Sequence, residues 1–434
     1  MIPTRWLLLG VALLLLAGLG PALQPQLIPF WWGTLGLIAL VSLIDALLIW
    51  QQPLPQITRR LPGSLALGVP ETITLRLRHS GKRPQEMAVF DHYPATLQVE
   101  GLPCTINLST EGYADIRYRA RPLERGEAWF KGVQLRLLSP LRLWRRQCHV
   151  KLENQVRVYP NFAAVAKYTL LAADNRLSQM GIRKHRRRGE GQDFHQLREY
   201  RQGDPLRQID WKASARIRKL ISREYQEERD QEIIFLLDCG HRMLARDDEL
   251  SHFDHSLNAI LLLAYVALRQ GDGVGFGSFS GEQRWLQPIK GISMINHLFN
   301  TLYDLQPSTK VPDYAAAATQ LLLKQKKRAL VVLITNLRDE DNADLLPAIR
   351  LLQQRHLVLV ASMQEQALSQ ELDHRITDFE QALRHAATRD YLQSRGQAVN
   401  ALRACGIMCL DVIPKDLSVA LVNQYLDIKA SAKL

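Results

Sequence analysis

Between His185 and Lys219 the chain reads HRRRGEGQDFHQLREYRQGDPLRQIDWKASARIRK, a stretch crowded with groups able to do chemistry. Asp193, Glu199 and Asp210, with His185 and His195, are the types that a hydrolase or nuclease uses as general acid and base. The arginines are what a nucleic-acid surface sets against phosphate. The spacing favours neither. Glu190, Asp193, Glu199, Asp204 and Asp210 are threaded through the basic residues, and Glu224, Glu227, Glu228, Asp230 and Glu232 then reverse the sign. A nucleic-acid face needs cations in excess on one side, with exposed aromatic rings. A solvated surface of paired charges accounts for the alternation better, so no nucleic acid is expected as a partner.

Locally, Gly189 and Gly191 free the backbone for a turn. Asp204 stands as N-cap and Pro205 at the first position of a helix. That helix would gather Leu206, Ile209, Ala213 and Ile217 on one face, with Trp211 packing at its edge. Arg198, Glu199, Arg207, Asp210, Lys212 and Arg216 would then pair with one another.

Elsewhere reactive constellations are scarce. Cys104, Cys148, Cys239, Cys405 and Cys409 are scattered and odd in number, which favours buried free thiols in a reducing compartment over a disulfide framework. Cys405 and Cys409 lack the histidine or cysteine partners of a zinc site. GDGVGFG lacks the following helix and the GK[ST] of a phosphate loop. No GxSxG or HExxH occurs. A protein without enzymatic activity and without a cofactor is expected.

The elements that must position any site fall into three groups. Trp6–Leu23 and Leu27–Trp50 are each about long enough to cross a bilayer as a helix, the second with a lone acid, Asp45. Trp6, Trp31, Trp32 and Trp50 fit interfacial belts, and the flanking Arg5, Arg59 and Arg60 place both termini in the cytoplasm. A cleaved signal peptide ending at GPA is the alternative for the first span. Asp45 falls near the cytoplasmic end of its span, where it can reach headgroups or a polar partner. From Ile57 to Tyr159, period-two stretches such as ETITLRLRHSG and YADIRYRARPL point to a small antiparallel β-sandwich. From Glu232 onward, EIIFLLD, GVGFGSFS, RALVVLITNL, HLVLVASM and GIMCLDVI alternate with helical stretches. That is the pattern of a doubly wound, Rossmann-like parallel sheet in the α/β class, with a long, partly polar helical insertion at about Ser369–Ala404. Ligands of such sheets sit at the strand C-termini, after FLLD and VLIT.

FLLDCGHRM, QGDGVGFGSFSG and VLITNLRDE, in that order, resemble the von Willebrand factor A domain. In that family DxSxS follows the first strand, and its Asp and two Ser hold a divalent cation with a Thr and a second Asp. Here Asp238 is kept, but Gly240 and Arg242 occupy the two Ser positions. Asn336 stands where an Asp is expected, and Thr309 is a loose match for the Thr. Hard oxygen ligands are lost and a guanidinium is gained, so no metal is expected. Arg242 is instead expected to take the cation's place by pairing with Asp238.

The opening stretch is itself similar to the signature of the bacterial domain of unknown function 58 family, G-x-G-x-[DE]-F, R-E-Y, G-D-x-x-R-x-I-[DN]-W and A-R. Gly189, Gly191, Asp193, Phe194, Arg198, Glu199, Tyr200, Gly203, Asp204, Arg207, Ile209, Asp210, Trp211, Ala215 and Arg216 match it. The resemblance extends over the two spans and the β-domain. It implies no established enzymatic activity and points to a MoxR-type AAA+ ATPase as partner.

These readings divide the chain into a transmembrane helical hairpin (1–52), a β-sandwich (53–160), the signature segment and linker (161–230) and a von Willebrand A-like α/β domain (231–434). They imply a multi-pass scaffold or adaptor of the inner membrane, with both termini and the large domain cytoplasmic. It would touch membrane lipids and the ATPase, alone or as an oligomer, and serve protein-complex assembly or maturation. The 189–216 motif would clasp the domains together or face the partner. A hydrolase or nuclease built on that motif, and a basic nucleic-acid-binding membrane protein, are the alternatives.

Overall fold

The apolar N-terminal sequence folds as two helices of unequal length. A short strand, β1 (Ile2–Pro3), leads into α1 (Arg5–Ala17), which is capped at Thr4 and gives way to a turn at Gly18. Its 13 residues rise about 20 Å, short of a ~30 Å hydrocarbon core. The expected span 6–23 is thus interrupted at Gly18; Leu19 and Gly20 are helical again, and 21–23 lie outside the described residues. The second helix, α2 (Ile28–Gln51), has 24 residues and is long and apolar enough to cross a membrane. The computed structural model describes all residues except 21–23, 80, 82–83, 111, 162–192, 202–205, 227–230, 248–249 and 432–434. The chain divides into two units, Met1–Tyr159 and Pro160–Leu434.

In the first unit, strands alternate inward apolar and outward polar side chains. One sheet contains β2 (Gln56–Arg60), β4 (Glu71–Arg78), β6 (Leu97–Glu100) and β8 (Tyr113–Pro122), in the order β2-β4-β8-β6. The other contains β5 (Gln85–His92), β7 (Cys104–Leu108), β9 (Gly126–Leu138) and β10 (Trp144–Tyr159). Its order is β1-β10-β9-β5-β7, with β3 (Ser64–Ala66) parallel to β10. Ile73, Leu75 and Leu77 of the first sheet, and Met87, Val89, Phe130 and Leu135 of the second, form the buried layer. Arg59 belongs to this interior. Its guanidinium donates twice to Asp91, at 2.9 and 2.5 Å, and once to Asn154 Oδ1 at 2.8 Å; the Tyr118 hydroxyl donates to Asp91 at 2.6 Å. Arg59 thus does not flank the membrane as a free charge, whereas its neighbour Arg60 is exposed.

The second unit begins, in the described residues, with a two-stranded ribbon of β11 (Asp193–Glu199) and β12 (Ile221–Gln226), joined through α3 (Trp211–Ile217). This segment is a folded element rather than a plain linker. The parallel sheet follows, with strands β13 (Glu232–Asp238), β16 (Gly273–Phe279), β18 (Leu330–Thr335), β19 (Leu357–Met363) and β20 (Met408–Val412). An antiparallel edge, β17 (Trp285–Ile289), went unforeseen, and a small hairpin of β14 (Arg246–Asp247) and β15 (Leu250–Ser251) precedes the first long helix. The sheet order is β17-β16-β13-β18-β19-β20.

The helices divide between two cores. Against Ile233, Phe235 and Leu237 pack α4 (His252–Arg269), α5 (Ile295–Leu302) and α10 (Leu417–Ala430). Against Ile234 and Leu236 pack α6 (Tyr314–Lys324), α7 (Asn342–Gln353) and α9 (Phe379–Ala404), which follows a short α8 (Gln366–Asp373). Successive residues of β13 thus feed opposite layers, as a doubly covered strand requires. Ala398, Val399 and Leu402 make α9 part of a core, so this helix is a layer of the domain and not an insertion.

Candidate functional site

The C-terminal ends of β13, β18, β19 and β20 bring together a dense set of buried polar groups. Asp238, fully buried, accepts from the Gly240 N–H at 2.8 Å and from the Thr335 hydroxyl at 2.8 Å. Burial pushes its carboxyl above the ordinary aspartate range, against the pull of the Gly240 and Thr335 hydrogen bonds. The Tyr314 hydroxyl lies 3.1 Å from Thr335 Oγ1. Gly240 has a steric reason: a Cβ there would come within 2.9 Å of the Lys310 carbonyl and 3.0 Å of Asp238 Oδ1.

Arg242 does not pair with Asp238. It pairs with Asp341 and, at 2.6 Å, with Glu340. Both acids lie just past β18, and Asp341 also accepts from the Arg338 N–H at 2.9 Å. Thr309 is exposed, and the adjacent Ser308 does the local work by donating to the Ser280 carbonyl at 2.6 Å and the Cys239 carbonyl at 3.0 Å. Asn336 is buried as the first residue beyond β18. Its amide donates to Glu365 at 2.9 Å and lies 3.4 Å from His252 Nδ1, whose other nitrogen meets Asp247 at 3.0 Å.

Arg395, on α9, closes the crest. Only 2% exposed, it donates to Asn336 Oδ1 at 3.1 Å, Ser362 Oγ and the Met363 carbonyl at 2.7 Å, Asp411 at 2.6 Å, and the Leu337 carbonyl. One guanidinium therefore ties the ends of three strands, β18, β19 and β20. The sequence contained a signal for it. Arg395, Ala398, Val399 and Leu402 follow i, i+3, i+4, i+7, so Arg395 lies on the buried stripe of its helix. No group of three or more His, Cys, Asp or Glu side chains is arranged to hold a metal among the described residues.

The signature residues are distributed differently from the expectation. Gly189, Gly191, Gly203 and Asp204 lie outside the described residues. Asp193 and Phe194 are placed on β11, and Arg207 in a single 3-10 turn. The helix starts at Trp211, seven residues after Asp204, and its cap is Asp210, which accepts from the Ala213 N–H at 2.9 Å. Asp210 also accepts from Arg223 at 2.9 Å, and Glu199 pairs with Lys219 at 2.5 Å. These partners lie outside the set expected to pair internally. Ser214, buried, accepts from the Ile221 N–H and so fixes α3 to β12. Ile209 is buried, but Trp211 is 68% exposed, and Leu206 and Ile217 are exposed as well. The anticipated packing of Trp211 and an apolar stripe is absent among these side chains, because the helix is too short to present it. Arg198 donates to the Glu199 carbonyl, Tyr200 bonds through its backbone to Leu220, and Arg216 is exposed.

Residues 196–402 match the family model described as Protein of unknown function DUF58. This segment belongs to that family. The DUF58 match begins within β11 and ends within α9, so it includes Asp238, Arg242, Asn336 and Arg395. The uncharacterized protein YeaD of Bacillus subtilis is 23% identical over 234 residues, 52% of this chain and 54% of that protein. The match to this curated relative thus spans about half its length. An aerotolerance-related membrane protein from Bacteroides fragilis aligns over 45% of this chain and 98% of its own, at 16% identity and a TM-score of 0.29. Salmonella alpha-2-macroglobulin reacted with methylamine aligns over 24% of this chain and 7% of its own, at 20% identity and a TM-score of 0.19.

Proposed function

We propose that this DUF58 protein is a membrane-anchored adaptor whose von Willebrand A-like domain binds a protein partner through the rim of its crest. The observation that carries the reading is Arg395. Its guanidinium engages the polar groups of three strand ends, so the crest is a preassembled surface rather than a set of groups waiting for substrate. Arg242 acts alike at the other end of the crest, joined to Asp341 and Glu340. The rim above them exposes Leu244, Lys310, Val311 and Glu340, an apolar and charged mixture suited to a protein interface. The family resemblance names the partner class, a MoxR-type AAA+ ATPase, and protein-complex assembly or maturation as the task.

The adaptor is anchored by the α2 span, with the shorter α1 beside it in the sequence, and carries its large domain in the cytoplasm. With Arg59 engaged in the sandwich, the positive-inside bias rests on Arg5 and Arg60. The test is capture of the ATPase from native membranes by the full chain, with ATP present. Glu340→Lys and Val311→Glu should weaken capture at least tenfold while the circular dichroism spectrum stays unchanged. Arg242 is unsuitable for this test, because reversing its charge buries a carboxylate against Asp341. Normal capture by both variants excludes this rim. Failure of the wild type to recover an ATPase removes the adaptor reading.

A further inference from the structure

Asp45 is the lone acid in α2, yet it is fully buried and well supplied with donors. The Ser139 hydroxyl donates to it at 2.5 Å, the Leu141 N–H at 3.0 Å and the Leu143 N–H at 3.2 Å. All three donors come from the turn between β9 and β10. Two further contacts run along the same helix face. Trp144 Nε1 donates to the Ser42 carbonyl and hydroxyl at 3.0 Å, and Arg146 donates to the carbonyls of Ile49 at 3.2 Å, Trp50 at 2.9 Å and Gln52 at 3.3 Å. The hairpin thus lies alongside the last turns of α2 and satisfies its terminal carbonyls.

The start of α1 is fastened to the same turn. β1 pairs Ile2 with Arg145 and Pro3 with Trp144, the Thr4 N–H donates to the Leu143 carbonyl at 2.9 Å, and the Thr4 hydroxyl donates to the Arg142 carbonyl at 2.6 Å. Both apolar helices therefore meet the turn at one level. From Ile28 to Ile44, short of that level, α2 rises about 25 Å, close to a hydrocarbon thickness of ~30 Å. The turn consequently lies where the acyl region gives way to headgroups. Its composition suits that depth: Leu141 is 54% exposed, Trp6 and Trp50 are exposed near the helix ends that the hairpin holds, Trp144 bonds to Ser42, and Arg5 and Arg145 are exposed with no ion pair among the described residues.

We infer that the β9–β10 turn, Ser139–Arg146, is a membrane-inserted element. Leu141 enters the acyl boundary, and Arg5 and Arg145 contact the phosphates of anionic lipid headgroups. Asp45 positions the turn by gathering its donors, so an acid in an apolar helix serves as a docking post. The β-sandwich is thereby fixed to the bilayer at a second point besides the helix end, which restricts how it can tilt.

The inference rests on α2 being a membrane span, and the experiment separates the two ideas. In a background in which Cys104, Cys148, Cys405 and Cys409 are replaced by serine and Cys239 is buried, Leu141→Cys and, separately, Leu37→Cys are labelled with a small fluorophore in the full chain. Each protein is reconstituted into vesicles of phosphatidylcholine with or without phosphatidylglycerol. Lipids carrying a quencher near the headgroup should quench position 141, lipids carrying it deep in the chain should quench position 37, and aqueous iodide should reach neither. Asp45→Leu should free the turn, so that position 141 loses lipid quenching and gains iodide quenching while position 37 is unmoved. Arg5→Gln with Arg145→Gln should abolish any increase in quenching at 141 produced by phosphatidylglycerol. If position 37 is lipid-quenched but position 141 responds only to iodide, the inserted turn is wrong and the span stands. If position 37 is also reached by iodide, the span reading fails, and the inference with it.

Discussion

Two arginines, one in each unit, are taken out of water by opposite arrangements. Arg59 sits between the sheets of the sandwich, bidentate on Asp91, with its guanidinium 4.8 Å above the Phe130 ring. Arg395 sits at the end of a parallel sheet, where it gathers carbonyls and side chains from three strands and adjoins a rim that is open at Glu340, 65% exposed. Arg59 is enclosed on every side by its own sandwich and has no route to a partner. Arg395 holds in place residues whose neighbours reach the surface. The same side chain seals a core in one unit and preorganises a candidate interface in the other.

Removing either guanidinium should give the largest effects: loss of Arg59 strands the buried carboxylate of Asp91, and loss of Arg395 strands the half-buried Asp411 together with the buried acceptors Asn336 Oδ1 and the Leu337 and Met363 carbonyls. Arg59→Leu and Arg395→Leu should each cost about 3–5 kcal/mol of the stability of their own unit, read by urea unfolding in detergent. Capture of the proposed ATPase partner should separate the two variants. Molecules of Arg59→Leu that remain folded should capture it normally, whereas folded Arg395→Leu should not. Equal capture by the two would reduce Arg395 to a second core residue.

Gly240→Ser comes next. Restoring the hydroxyl found in the resembling family places a Cβ within 2.9 Å of the Lys310 carbonyl, and the site has no room to relax without moving that loop. A loss of about 1–3 kcal/mol is expected, as in overpacked cores. Millimolar Mg²⁺ should not recover it, since Arg242 still stands at the second hydroxyl position. A saturable upward shift of the melting temperature with Mg²⁺ would overturn the view of a crest built around arginine.

The two arginines also mark the limit of what pattern can reveal. The strand–helix alternation after Glu232 and the period-two strands before Tyr159 follow from burial of apolar side chains, so a hydropathy pattern carries them directly. An inward arginine violates that pattern, and in sequence it looks like any surface cation. Position decides. Arg59 shares the inward parity of Ile57 in β2, and Arg395 shares the stripe of Ala398 and Leu402 in α9. The pairing of Arg242 with Asp341 instead of Asp238 had no comparable signal. It depends on how the chain turns after β18, where Asp341 folds back to accept from the Arg338 N–H.

Asp238 offers a smaller, pH-dependent test on the crest side. Burial raises its folded-state value above the ordinary ~3.9, so the unfolded chain releases its proton first as pH rises. Between the two values the folded form binds more protons, and stability falls by up to about 1.4 kcal/mol per pH unit; above the raised value the deficit is constant. Asp238→Asn removes that titration. Its unfolding free energy should fall less steeply than the wild type's as pH rises from about 4. Parallel curves would mean that burial does not raise the carboxyl's folded-state value.

Trp211 should matter least to folding, although its type and its place in the signature suggest an anchor. A buried tryptophan truncated to alanine costs about 3–5 kcal/mol, but this ring is 68% exposed, and α3 is held by other groups. Asp210 caps the helix, and Ser214 accepts from Ile221. Trp211→Ala should therefore change stability by no more than about 0.5 kcal/mol, as surface substitutions do. Ser214→Ala, one turn away, leaves a backbone N–H in a buried contact without its acceptor and should cost about 1–3 kcal/mol. The order of these two variants in one urea series is the measurement. A greater loss at Trp211 than at Ser214 would mean that the indole is covered in the folded protein and that α3 is secured by its ring, not by its cap and hydroxyl.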